Sequence, residues 1–158
     1  MSHDDGFFDQ DIAASYDKDH GGTDPALIEQ TVDVLSELSG GGDILEFAVG
    51  TGRIALPLAA RGFTVKGIEL SRAMVADLRK KETGAPLPVT IGDVTDVRVN
   101  GDFSLVFLVF NTIENLTSQQ AQIACFVNAA AHLSAGGHFV LETRVPPLQD
   151  LPFGEQKK

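Results

Sequence analysis

Residues 43–55 read Asp43-Ile44-Leu45-Glu46-Phe47-Ala48-Val49-Gly50-Thr51-Gly52-Arg53-Ile54-Ala55. A short apolar run from Asp43 to Phe47 opens into a turn with two glycines and then into a helical stretch to about Ala60, giving strand, tight turn and helix. Glycines in such a turn let a ligand approach the backbone where side chains would collide with it, and the helix that follows presents unpaired N–H groups. Glu69 closes the next strand 19 residues beyond Gly50, where an acid can take both hydroxyls of a ribose as donors. Turn and acid together describe a site for an adenosine-type cofactor.

The same rhythm continues on either side. Asp24 and Pro25 supply an N-cap and a first-turn proline for a helix through about Leu38, with Ala26, Leu27, Val34, Leu35 and Leu38 on its buried side and glycines at its end. Beyond the turn, Arg61-Gly62 stops the second helix, and strand Thr64–Ile68, helix Ser71–Lys81 and strand Pro88–Ile91 follow. Ser104–Phe110 is a nearly unbroken apolar strand, Ser118–Leu133 reads as a helix ended by Gly136-Gly137, and His138–Arg144 is a further strand. Fully apolar strands alternating with helices belong to a parallel sheet covered on both faces. The fold class is therefore α/β, a Rossmann-like, doubly wound, mostly parallel sheet of about five strands. Its parts are a lead-in over 1–24, a cofactor-binding core over 25–145 and an irregular tail over 146–158, with no internal repeat.

Composition narrows the function. Of the 158 residues 43% are hydrophobic and 22% charged, ordinary values for a soluble globular chain. The net charge of −10 would repel a phosphate backbone, so nucleic acid is not the expected partner. Cys125 is the single cysteine, set among Ile123, Ala124, Phe126 and Val127, so it can form no disulfide within the chain and reads as a buried apolar residue. No signal-peptide core and no apolar run of about 20 residues is present, so a cytoplasmic protein that makes no use of a membrane is expected.

Gly50-Thr51-Gly52-Arg53-Ile54-Ala55 also satisfies the G-x-G-x-x-A fingerprint of nicotinamide enzymes. An oxidoreductase would need a later catalytic pair such as Tyr-Lys, and Tyr16, in the lead-in, is the chain's one tyrosine. The words around the turn decide the matter. Ile44 to Arg53 resembles the first motif of class I S-adenosylmethionine-dependent methyltransferases, Val65 to Met74 the second, and Gly92-Asp93-Val94-Thr95-Asp96 the third. Ser134 to Val140 is similar to the loop and strand that follow the fifth helix of that fold, so four motifs fall in order between Asp43 and Glu142. Ala48 departs from the pattern at a position often held by glycine, as does Ser104, where an acid is usual.

What the resemblance implies is a methyl transfer from S-adenosylmethionine, leaving S-adenosylhomocysteine, to a small-molecule acceptor. A methyl sulfonium is already an activated electrophile, so in-line positioning and exclusion of water suffice, and neither a metal nor a triad is expected. By the same resemblance, Ala48, Gly50, Gly52 and Arg53 border the methionine part and Glu46 lies near its amino group. Glu69 holds the ribose, Leu70 and Met74 line the adenine face, and Asp93 with the Val94 backbone reads the adenine edge. Phe110 and Asn111 face the reacting methyl, and Tyr16 belongs to a lid; no catalytic residue is assigned. Thr112-Ile113-Glu114-Asn115 lacks the Pro-Pro-aromatic signature of enzymes acting on nucleobase amino groups. The family fold continues past its fifth strand with a helix and an antiparallel hairpin, which the proline-rich stretch Val145–Lys158 is too short to supply. The expectations are therefore a core lacking that hairpin, a fifth strand with an open edge suited to pairing with a second copy, and either a weakened enzyme or a module that only binds cofactor.

Overall fold

The structure, a computed structural model, describes residues 24–145. Tyr16 and the rest of the lead-in before Asp24, and the tail beyond Val145, lie outside the described residues. Helix α1 spans Pro25–Ser39, β1 Ile44–Phe47, α2 Ala55–Ala60, β2 Val65–Glu69, α3 Arg72–Lys81 and β3 Val89–Ile91. β4 spans Phe103–Leu108, followed by a 3-10 turn at Thr112–Asn115, α4 at Gln119–His132 and β5 at Leu133–Leu141. The strands form one sheet in the order β3-β2-β1-β4-β5, and every pairing is parallel. This is the expected doubly wound, Rossmann-like sheet of five strands.

Alternation along the strands divides the core between the two faces. Ile44, Leu105 and Phe107 pack with Val32 and Leu35 of α1, Ala55 and Leu58 of α2, and Leu78 of α3. Leu45, Phe47, Val106 and Leu108 point the other way, onto Cys125 and Ala129 of α4. Cys125 is fully buried, as its apolar neighbours imply.

Local chemistry sets where the helices begin. Asp24 accepts from the Ala26 N–H at 3.0 Å, Ser71 from Met74 at 3.2 Å and Ser118 from Ala121 at 3.1 Å, each capping a helix start. Ser104, at the acid position of the motif, instead donates to the Ser39 carbonyl at 2.7 Å and ties the end of α1 to β4.

Three details differ from the sequence reading. Leu35 is buried as expected, but Ala26 is exposed, Leu27 and Val34 are each 54% exposed, and Val32 and Ser39 complete the buried side of α1. The apolar residues of α1 outnumber its buried stripe, so periodicity admits two faces and packing on the sheet selects one. β4 ends at Leu108 because Phe110 turns to φ 58, and the strand expected through Phe110 stops short. The last helix ends at His132 and β5 begins at once at Leu133, so Gly136-Gly137 lies inside the strand rather than ending the helix. Pairing there jumps from Phe103↔Leu133 to Leu105↔His138, and a Cβ on Gly137 would sit 2.9 Å from the Ser104 carbonyl. The glycines therefore serve a bulge, a use that resembles a helix stop in sequence.

Gly67 sits in the middle of β2, where a Cβ would lie 2.8 Å from Val49 Cγ1. Gly67→Ala should destabilise the chain by about 1–3 kcal/mol through overpacking. Urea unfolding should show this as a lowered midpoint with an unchanged slope.

Candidate active site at the carboxyl edge of the sheet

β1 is followed by β2 on one side and has β4 on the other, so the direction of winding reverses between β1 and β4. Loops leaving the carboxyl ends of these two strands diverge to opposite faces and leave a crevice, the ligand site of open α/β sheets. Two depressions open there. One is lined by Glu46, Ala48, Gly50, Arg53, Phe110 and Thr112 among others. The second, of about 220 Å³, is lined by residues including Ala48, Glu69, Leu70, Asp93, Val94 and Thr112. Ala48 and Thr112 belong to both, so the two form one continuous site. A wider groove of about 490 Å³ between α1 and α2 lies away from the strand ends and contains only the ion pairs of Arg61 with Glu29 and Asp33 as charged chemistry. Size alone does not locate the chemistry.

Glu69 is 6% exposed, and its two oxygens accept from Gly50 N–H at 2.8 Å and Ser71 N–H at 2.9 Å. The spacing of 19 residues that first suggested a site is closed by a direct bond between its two ends. Two carboxylate oxygens offer about four acceptor positions, so the backbone amides leave room to accept from a ligand. Burial raises the carboxyl above its usual 4.5, while the Ser71, Gly50 and Leu70 amides pull it back.

Glu46 is 4% exposed, and its Oε2 is buried with no hydrogen-bond partner. Burial raises its carboxyl well above 4.5, opposed by the Ala55 N–H, with the Glu69 charge raising it further and Arg53 lowering it. Glycine is needed where the turn folds back. Gly50 and Gly52 have φ of 55° and 81°, and a Cβ on Gly52 would lie 2.9 Å from Leu56 and Leu78, whereas one on Gly50 would meet no atom nearer than 3.9 Å. The space over Gly50 is thus left for a ligand.

Ala48 departs from the glycine pattern yet adopts φ 54, the left-handed conformation that glycine takes freely. Phe110 and Asn111 are also left-handed, both at φ 58, so among the described residues the three non-glycine residues of this kind cluster at the ends of β1 and β4. The Arg53 guanidinium lies 4.0 Å from the centre of the Phe110 ring, and the Phe110 N–H donates to Glu142 at 3.1 Å. Asn111 Oδ1 is buried without a partner.

Of the residues singled out in the sequence, Glu46, Ala48, Gly50, Arg53, Glu69, Leu70, Asp93, Val94 and Phe110 line the two depressions. Gly52 shapes the turn from behind, Asn111 adjoins Phe110, and Met74 is 3% exposed and lines neither depression. Thr112 and Leu116 line the site and went unnoticed in the sequence. Their position just after an apolar strand at the reversal of winding was the available signal.

The Glu46 shift carries a pH signature. The folded chain keeps a proton that the unfolded chain releases near 4.5, so stability falls as pH rises from there through the raised folded value. Glu46→Gln removes this loss. The variant should be more stable than the parent at pH 7–8, with the gap closing toward pH 4; thermal unfolding across that range measures it.

The match to known proteins agrees with this geometry. A family described as "Methyltransferase domain" matches residues 44–137. A dTDP-3-amino-3,6-dideoxy-alpha-D-glucopyranose N,N-dimethyltransferase of Streptomyces fradiae is 31% identical over 136 residues, 84% of this chain and 52% of that protein. Among solved structures, the CcbJ methyltransferase of Streptomyces caelestis superposes with a TM-score of 0.74 at 34% identity, covering 82% of this chain and 54% of that one. CalS10, an amino pentose methyltransferase of Micromonospora echinaspora solved with SAM bound, gives 0.71 at 26%, covering 90% and 59%. The chain thus spans about half the length of these relatives. With the family matching from the first residue of β1 to the glycines of β5, and with the sheet order and strand-end crevice to accompany it, this chain belongs to the methyltransferase domain family on its class I, Rossmann-like fold.

Proposed function

We propose that the crevice binds S-adenosylmethionine and that the protein transfers its methyl group to an amine nitrogen of a small molecule. The observation that carries the cofactor is the pair of buried acids. Backbone amides fix the Glu69 carboxylate where it lines the crevice, an acceptor placed for the hydroxyls of a ribose. Glu46 holds a buried oxygen with no partner at the other end of the site, a place for the cofactor's ammonium group, with Arg53 near enough to meet its carboxylate. Asp93 already accepts from the Thr95 amide and hydroxyl at 2.8 and 2.7 Å through Oδ1, which fixes the carboxylate beside Val94 and leaves Oδ2 for the adenine edge. Leu70, 46% exposed, supplies an apolar cover for the base.

S-adenosylmethionine supplies an electrophilic methyl on a sulfonium. With it bound, the acceptor nitrogen's lone pair would take the methyl as the C–S electrons return to sulfur, and the acceptor's extra proton would leave to solvent. This chain's part is to hold the methyl in line and dry. Phe110, fixed by its turn and by Glu142, walls the methionine side, and Thr112 joins the two halves of the site.

The amine acceptor is supported by the named relatives, an amino-sugar N,N-dimethyltransferase and an amino pentose methyltransferase. The net charge of −10 agrees with a cationic rather than a polyanionic acceptor. We place the protein in the cytoplasm; among the described residues no helix is long and apolar enough to cross a membrane. The outer edge of β5, at the margin of the sheet among the described residues, is the surface through which a second copy would pair.

Calorimetric titration of the chain with S-adenosylmethionine, S-adenosylhomocysteine and NAD tests the reading: the first two should bind and NAD should not. Glu69→Gln should weaken binding of both by about 1–3 kcal/mol, since the charged acceptor is lost. Unchanged affinity would remove Glu69 from the site, and binding of NAD alone would overturn the proposal.

A further inference from the structure

Asn128 and His132 lie on α4, and neither lines the cofactor crevice. Both are nevertheless polar and almost wholly buried, at 1% and 3% exposure. A buried amide and imidazole are tolerated only when their hydrogen bonds are made, and here the bonds that leave the helix lead to one place. Asn128 Nδ2 donates to the carbonyls of Val94 at 2.7 Å and Val97 at 3.0 Å. Its Oδ1 accepts from Arg98 Nη1 at 2.7 Å. His132 Nε2 accepts from the Val99 N–H at 2.9 Å. That bond requires the neutral ring with its proton on Nδ1, which then donates to the Asn128 carbonyl at 2.8 Å.

The segment so held, Gly92 to Val99, joins β3 to the approach of β4 and contains no helix or strand. It carries Asp93 and Val94 into the crevice. Its own bonds are few: an Asp93 turn through the Thr95, Asp96 and Val97 amides, and Gly92 N–H to the Glu69 carbonyl. Gly92 is pressed against Val97, since a Cβ there would collide with the Val97 side chain. Without α4 the segment would be a short loop at the margin of the sheet, secured only at its first residues.

We propose that Asn128 and His132 are positioning residues for the cofactor site: from the far side of the Gly92–Val99 loop, they fix the backbone that presents Asp93 and Val94 to the adenine ring. α4 therefore sets the shape of a subsite that these two residues do not touch. The inference rests on the cofactor reading above. The groups facing His132 are Asn128 on its own helix, the Arg98 guanidinium and Val99 amide from the loop, and the rings of Phe47 and Phe103 from β1 and β4. None is acidic. Burial, the largest cause, lowers the His132 pKa below 6.5, with Arg98 also lowering it and the Asn128 carbonyl opposing. The neutral ring that Val99 requires is thus the form the surroundings favour.

The test uses the full chain and S-adenosylhomocysteine as the probe. Asn128→Asp keeps the size and the Arg98 acceptor but sets oxygen against the Val94 and Val97 carbonyls. Arg98→Ala loosens the same network from the exposed side. Ala129→Gly, one residue along α4, weakens the helix without touching the network. At a temperature where circular dichroism shows every variant folded, Asn128→Asp should bind about tenfold more weakly, Arg98→Ala a few-fold more weakly, and Ala129→Gly as the parent does. Amide exchange should quicken in 94–99 in the first two, while β1 and β2 keep their protection. Parent-like affinity in Asn128→Asp and Arg98→Ala, with the parent binding normally, would overturn the positioning role and leave the cofactor reading standing. An equal loss in Ala129→Gly would reduce the role to helix stability and also overturn it. A parent that fails to bind the probe at all would overturn the cofactor reading, and this inference with it.

Discussion

A single buried carboxylate joins the parts on which the site depends. Glu69 ends β2, and its oxygens take the Gly50 amide of the turn after β1 and the Ser71 amide at the start of α3. Neither turn has regular secondary structure to hold it, and both donors are of the kind left over at loop and helix starts. Neutralising or removing the acid would leave two amides with poorer partners in a place water does not reach freely. The bond also settles which way the glycine turn faces. Gly50 is drawn toward β2, so the open side of the turn lies over the crevice and not over the core.

This bridge can form because the sheet is parallel and ordered β3-β2-β1-β4-β5. Parallel strands deliver all their carboxyl ends to one edge, so Glu46, Ala48, Glu69, Asp93 and Phe110 arrive together although they are scattered along the chain. The strain gathers at the same edge. Ala48, Phe110 and Asn111 all stand at positive φ, which costs roughly 1 kcal/mol or more each for residues with a Cβ. The surroundings hold them there: Val49 donates to the Ile68 carbonyl at 3.1 Å, Phe110 is bonded to Glu142, and the 3-10 turn begins directly after Asn111. Stability drawn from two apolar clusters is being used to keep a turn shape that the local sequence does not favour.

Those parts of the fold that depend on local pattern were legible. Apolar runs, capping residues and glycine stops gave nine of the ten elements in order, most to within a residue or two, because strands buried on both faces and capped helices write themselves into composition; the 3-10 turn at Thr112–Asn115 left no such mark. Legibility failed where two physical roles use the same residues. Gly136-Gly137 reads as a helix stop and works as a bulge; Leu27 and Val34 are apolar and face outward because α1 can offer only one stripe to the sheet. In the site, Gly50 and Glu69 were found because their spacing reflects a backbone constraint, whereas Glu46 was found only through the resemblance of the first motif. Thr112 was not, since a threonine after a strand end has no signature until the strand order shows that it lies at the reversal of winding. Asn128 and His132 were invisible for a further reason: hydrogen bonds spanning 31 to 34 residues leave no periodicity.

The electrostatics of the crevice follow from this arrangement and bear on its ligand. Glu46 and Glu69 are both buried acids whose carboxyls burial raises, the Glu69 charge raises Glu46 further, and Glu46 has an oxygen that the protein leaves unbonded. A neutral ligand would have to be bound at the expense of a buried acid with an incomplete shell. A ligand carrying an ammonium group at one end and ribose hydroxyls at the other completes both shells at once, and it replaces protons that burial otherwise retains. A nicotinamide dinucleotide would bring ribose donors to Glu69 but a pyrophosphate toward Glu46, whose unbonded oxygen lacks a donor and gains none from a group that brings acceptors alone. The glycine turn admits either cofactor; in the proposed reading, the acid four residues before Gly50 is what would separate them.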